Sequence, residues 1–276
     1  MKKILNKIFT NYKKSIPICL IIFIILLFIW GEIIKNYRAN KEFSEFGEKI
    51  VSSNENKIFN IDKIILCSNA NAIDNSENKN VSSLSVYQYT DIAIYINNKN
   101  KEQELTKENT ISELFIDNIE IVTSSNLGKQ SLRYKNLMGF GSKETLSDYN
   151  YNDRIDFDIV YTNKENEEAD YNEPNFYTDC SNPITLEYIN QDLKNDYKIT
   201  DRDNVSFDGK ILKSAGISIE DINAKIRFKI NIKNNNNERF SSWINFQIPL
   251  NDIYEGNSIK SKVLDKDNYR YAFFKM

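Results

Sequence analysis

Residues 15–31 carry no charged side chain, and residues 18–30 are almost wholly Ile, Leu and Phe. Continuing past Glu32 to Ile34, the apolar run is about 20 residues, or about 30 Å as a helix, which is the thickness of a bilayer core. Each central Ile, Leu or Phe favours insertion by about 0.3–0.6 kcal/mol, so together they outweigh one carboxylate at the edge. Pro17 falls in the first turn, where its missing N–H breaks no helical bond, and Trp30 sits where an interfacial aromatic belongs. A cleaved signal peptide fits less well. The run exceeds a signal's usual apolar length, and the chain after Trp30 offers no small-x-small cleavage site. The expectation is an uncleaved anchor over residues 15–35 in contact with the lipid bilayer.

Residues 1–14 hold five lysines and no acid, which places the N-terminus in the cytoplasm and the remainder outside. The first 36 residues contain six lysines and one glutamate. Removing these from totals of 36 basic and 39 acidic side chains leaves 30 and 38, a net charge near −8. That balance argues against nucleic acid as a partner.

After the anchor, Phe43, Phe46 and Ile50 recur at helical spacing, predicting a juxtamembrane stalk over 36–56. From 57 the period changes to two. Ile226, Phe228, Ile230 and Ile232 alternate with Lys225, Arg227, Lys229 and Asn231, and Phe240, Ser242, Ile244 and Phe246 alternate with Arg239, Trp243 and Asn245. Similar alternation marks 86–96 and 154–161, with shorter strands expected at 58–66, 116–123, 184–188, 205–212 and 269–275. Short helices are expected near 186–196 and 217–223. The fold class is therefore mainly β: an N-terminal transmembrane helix followed by an antiparallel β-sandwich ectodomain over 57–276. The best-defined hairpin joins 224–233 to 239–248 through the Asn tract 234–237. It pairs Ile232 with Phe240 and Lys229 with Trp243.

The chain contains no histidine. Ser-His-Asp hydrolases, Cys-His transpeptidases and His-ligated zinc proteases all need imidazole, so those chemistries are excluded. Ser76 and Lys79 match a Ser-x-x-Lys pattern in a polar loop with no supporting motif, and residues 139–143 have the wrong spacing for a phosphate loop. Asp156 and Asp158 share a strand face at about 6–7 Å, which overlaps glycosidase geometry, although adjacent acids on a wet strand are common. No cofactor is expected. The single metal candidate is a structural calcium loop with Asp148, Asn150 and Asn152 at alternate positions; it lacks the glycine and closing glutamate of an EF-hand. Cys67 and Cys180 are the two ectodomain thiols. As a disulfide they would close a loop of about 113 residues, contributing about 4–5 kcal/mol at most.

The ligand-binding candidate is the outer hairpin face, where Lys225, Arg227, Lys229 and Arg239 accompany Trp243. Cations beside an indole suit an anionic envelope polymer or a stacked sugar ring. The function expected from the sequence is a non-enzymatic, membrane-tethered binding or assembly module of the cell envelope. Its alternatives are a carboxylate-dependent glycan-active enzyme and a subunit of a secretion, conjugation or division complex.

Overall fold

The computed structural model describes residues 23, 26, 27, 29–38, 41, 55–76, 82–98, 106–141, 153–160, 173–177, 183–200, 205–256, 260–265 and 271–276. The chain divides into two units, Met1–Asn54 and Glu55–Met276. In the first, the described residues from Phe23 to Arg38 are helical and their side chains face outward, Phe23, Leu26, Leu27, Ile29, Trp30, Ile33 and Ile34 among them. Among the described residues no helix is long and apolar enough to cross a membrane. Most of the apolar run, and the expected stalk residues Phe43, Phe46 and Ile50, lie outside the described residues.

The second unit is mainly β, a curled mixed sheet with few helical turns. Its strands are β1 (Glu55–Asp74), β2 (Ser82–Asn98), β3 (Ile111–Thr123), β4 (Lys129–Tyr134), β5 (Arg154–Val160), β6 (Asn175–Tyr177), β7 (Ile184–Ile199), β8 (Ala224–Asn234), β9 (Arg239–Gln247), β10 (Lys260–Asp265) and β11 (Ala272–Lys275). They run in the order β4-β7-β2-β1-β11-β9-β8-β3-β5-β6, with β10 also on β1. Pairing is antiparallel except between β5 and β6, which are parallel, so the all-antiparallel expectation fails at that edge.

The curl originates at β1. One edge of this 20-residue strand pairs with β2 from Phe59 to Asp74. The other edge is divided between β11, beside Glu55 and Asn60, and β10, beside Lys63 to Ser68. Beyond β11 the sheet turns back over itself. Phe59 of β1 meets Phe240 of β9 edge-on at 5.4 Å, and Tyr134 of β4 meets Phe157 of β5 at 6.4 Å. β4 and β5 lie near opposite ends of the strand order, so the second contact nearly closes the curl. Between the layers sits one apolar core, including Ile64, Leu66, Ile92, Ile94, Leu186, Phe228, Ile230 and Ile244.

The predicted hairpin forms in the predicted register, including Ile232 with Phe240, Phe228 with Ile244 and Lys229 with Trp243. Its Asn tract is a polar turn with a specific construction. Asn234 is buried, its Oδ1 accepts the N–H groups of Asn236 and Glu238, and Asn237 takes the left-handed conformation that Asn tolerates.

Two expectations from sequence are corrected. Residues 186–196 lie in strand β7, not a helix. Inserted between β2 and β4, β7 is covered on both faces over its first half and so loses the two-residue alternation that marks a half-exposed strand. Residues 205–212 are not a strand. Asp208 accepts the N–H of Lys210 and opens the short helix Lys210–Ser214, which turns Ile211 and Leu212 into the core. The expected helix near 217–223 is reduced to the 3-10 turn Glu220–Ile222.

Candidate functional site

The ligand-binding residues predicted from sequence sit on the outward face of β8 and β9, where strand alternation puts them. The Arg227 guanidinium lies 4.0 Å from the Trp243 ring centroid, and Trp243 is 41% exposed. Lys229 is directly across from Trp243, while Lys225 pairs with Gln247 at one end. Arg239 pairs with Lys233 at the other end, four residues from Trp243 and so about 14 Å along the strand. The structure thus groups Arg227, Lys229 and Trp243 and leaves Arg239 apart.

Strand β3, on the far side of β8, changes the electrostatics. It sets Glu113 opposite Lys233, Asp117 opposite Lys229 and Glu120 opposite Arg227. Arg227 pairs with Glu120 at 3.3 Å and Lys233 with Glu113 at 2.7 Å. The face that reads as basic from β8 and β9 alone is a ladder of alternating charges once β3 is in place. Each exposed pair contributes at most about 1 kcal/mol to stability. Their larger effect is to cut the net positive potential around Trp243.

A second cluster lies on the outward side of β1, β2, β7 and β4. Asp91 of β2 is the direct cross-strand partner of Glu187 of β7, and Glu187 is the partner of Arg133 of β4. Lys135, just beyond β4, is held by its own backbone: its N–H donates to the Thr185 carbonyl, and its carbonyl accepts from the Thr185 hydroxyl. Its Nζ lies 3.0 Å from Glu187 Oε1 and 3.5 Å from Asp91 Oδ1. Exposure is 0% for Asp91, 1% for Glu187 and 4% for Lys135. The 3-10 turn Leu137–Gly139 follows, and the Gly141 N–H, on a residue with φ of 75°, donates to Asp91 Oδ2 at 2.5 Å. The ring of Tyr89 stands 5.8 Å from Lys135 Nζ.

Burial dominates the proton affinities here. It pushes the Asp91 carboxyl up to about 7 against the pull of Lys135, with the Glu187 charge adding to the rise. Burial raises Glu187 as well, opposed by Lys135. Cys67, across from Asp91 on β1, has its thiol raised by burial and then by the Asp91 charge. Burial of the two carboxyls in a dry site favours their neutral forms over their charged ones. Proton exchange among the three groups is the chemistry this arrangement supports. Its closure to solvent leaves no approach for a bulky substrate.

A scan of protein-family models, a search of curated proteins and a search of solved structures each return no match to this chain.

Asp148, Asn150 and Asn152 lie outside the described residues, as does Cys180; Cys67 is a half-buried free thiol. Among the described residues no group of three or more His, Cys, Asp or Glu is arranged to hold a metal. Asp156 is tied to Arg154 on its own strand at 2.5 Å, an exposed surface pair. Gly139 closes the 3-10 turn Leu137–Gly139 and the Gly141 N–H donates to Asp91, while residues 142 and 143 lie outside the described residues.

Sequence reasoning missed Asp91, Lys135 and Glu187. A signal was present: Asp91 is the only charged residue in 81–98 and Glu187 the only one in 180–191. A charge in such a run must find a partner. Which partner depends on strand order, and strand order is not written locally.

Proposed function

We propose that this chain is a single-pass membrane protein, N-terminus inside, whose C-terminal β-sandwich serves outside as a non-enzymatic binding or assembly module of the envelope. The observation that carries this reading is the uncharged apolar run at 15–31 ahead of a separate compact β unit. The sealing of the two carboxyls best placed for catalysis supports the non-enzymatic part. In this reading the contact face is the Arg227–Trp243 platform, and its ligand is an anionic envelope polymer bound weakly through a few cations and the indole. The β3 carboxylates keep that affinity low and salt-sensitive.

The first test is fractionation. The full chain should remain with membranes after alkaline extraction, and deletion of residues 1–36 should release it to the soluble fraction. Protease added to intact cells should digest the C-terminal unit, and full protection of that unit would overturn the orientation. The second test is retention of the full-length protein on immobilised anionic polymer. Trp243→Ala combined with Lys229→Glu should weaken retention about five-fold or more at low salt, the equivalent of losing about 1 kcal/mol of cation–π and charge attraction. Equal retention by both proteins would remove the platform from the reading.

A further inference from the structure

We propose that Lys135 and Asp91 become joined by an amide bond, formed within the folded protein with Glu187 as the proton carrier and one water molecule as the leaving product. Amide formation between an amine and a carboxylic acid needs four things. The reactants must be close, the amine neutral, the carbonyl polarised, and water excluded so that the product is not opposed by solvation of its ions. The cluster supplies each of them.

Proximity comes from the sheet. β7 lies between β4 and β2 and places Glu187 beside both reactants, while Lys135 Nζ reaches to 3.5 Å from Asp91 Oδ1. The backbone bonds to Thr185 on either side of Lys135 fix its starting point. Exclusion of water follows from the burial of all three side chains. The two acids are not equivalent. Glu187 Oε1 accepts the hydrogen bond from Lys135 Nζ at 3.0 Å, the position of a base. Asp91 has one oxygen on the Gly141 N–H at 2.5 Å, a donor placed to stabilise charge developing on that oxygen. Its other oxygen, buried, is the one that faces the amine at 3.5 Å. The raised proton affinity of Asp91 agrees with its serving as the acid, because a carboxylic acid can lose hydroxide as water and a carboxylate cannot.

The Lys135 ammonium gives one proton to the Glu187 carboxylate and becomes an amine. The nitrogen lone pair forms a bond to Asp91 Cγ, and the C=O π pair moves onto Oδ2, which the Gly141 N–H holds. A second proton leaves the nitrogen and passes by way of Glu187 to the Oδ1 hydroxyl. The Cγ–Oδ1 bond then breaks, water departs and the C=O re-forms. Lys135 and Asp91 are left as a neutral amide, with Glu187 carrying the proton first taken from the ammonium. Nothing is oxidised or reduced, and no co-reactant is required. The link ties β4 to β2 across β7, so the three strands could not separate under load or denaturant without breaking a covalent bond.

The test is mass spectrometry of the full-length protein after proteolysis, with far-UV circular dichroism to confirm that each variant is folded. The wild type should yield a branched peptide joining the Lys135 segment to the Asp91 segment, lighter than the two separate peptides by one water. Fragmentation should place the branch at those two side chains. Lys135→Arg keeps the positive charge and should give no branch. Glu187→Gln keeps the shape and both reactants, and its linked fraction at early times should fall at least about ten-fold, since a positioned acid–base group contributes ten-fold or much more. Separate, unmodified Lys135 and Asp91 peptides from folded wild type would overturn the proposal. A branch at Glu187 in place of Asp91 would overturn the assignment of roles, as would full and equally rapid linkage in Glu187→Gln.

Discussion

Measured against Lys135→Arg, which keeps the cation and forms no link, Lys135→Met is expected to destabilise the β unit by about 3–5 kcal/mol near pH 8, the cost of leaving buried Asp91 without its cation. Met keeps most of the volume of the lysine stem, so the loss reports charge rather than a cavity. Urea unfolding of the full-length chain, followed by β-sheet circular dichroism, measures it. A loss below about 1 kcal/mol would mean that the acids are not committed to Lys135. The pH dependence gives a second readout with a definite sign. Burial raises the Asp91 carboxyl from an ordinary 3.8 to about 7, and Glu187 moves in the same direction. The folded state therefore holds protons that the unfolded state releases. This contribution to stability is complete below the unfolded value and is lost as pH rises through about 7. The Lys135→Met protein should accordingly recover much of its deficit between pH 8 and pH 5. Where the amide has formed, Asp91 no longer titrates, so a linked wild type should show a shallower profile over that window, with the Glu187 contribution remaining. The Asp91 part of that slope should return in the Glu187→Gln chain, which keeps Asp91 but forms the link slowly.

What the sequence made legible follows from how each strand meets solvent. β8 and β9 each keep one wet face, so Ile226 to Ile232 and Phe240 to Phe246 alternate cleanly, and their register could be set to the residue. β2 and β7 are covered on both faces. There Tyr87, Tyr89, Ile189 and Leu186 are all buried, and the alternation needed to identify β7 disappears. The Trp243 face was readable as a face and misjudged as a field. Arg227 and Lys229 lie within one hairpin, whereas Glu120 and Asp117 reach them from a strand more than 100 residues earlier. Asp91, Lys135 and Glu187 show the same limit more strongly, because three separate strands must be ordered β4-β7-β2 before they meet. Alternation reports local exposure, and long-range pairing decides which charges become neighbours.

The two faces of β9 should respond in opposite ways to truncation. Phe240 points inward, is almost fully buried and meets Phe59 across the layers at 5.4 Å. Those two rings help hold the fold-over at β1, where the sheet edge passes from β10 to β11. Phe240→Ala should therefore cost about 3–5 kcal/mol, the lost burial plus the cavity left between strands that cannot both move in. Trp243, three residues on, points outward, with one ring face on Arg227 and much of the remainder in water. Trp243→Ala should cost less than about 1 kcal/mol of stability, because it removes one exposed cation–π contact and little buried area. Urea midpoints of the two variants, measured in the same full-length chain, give the comparison. If Trp243→Ala were as damaging as Phe240→Ala, the indole would be part of the fold and its exposed face no longer a reason to place a ligand there. If it is silent in stability while retention on anionic polymer falls, its contribution lies in binding, as expected of an aromatic left at the surface beside paired charges.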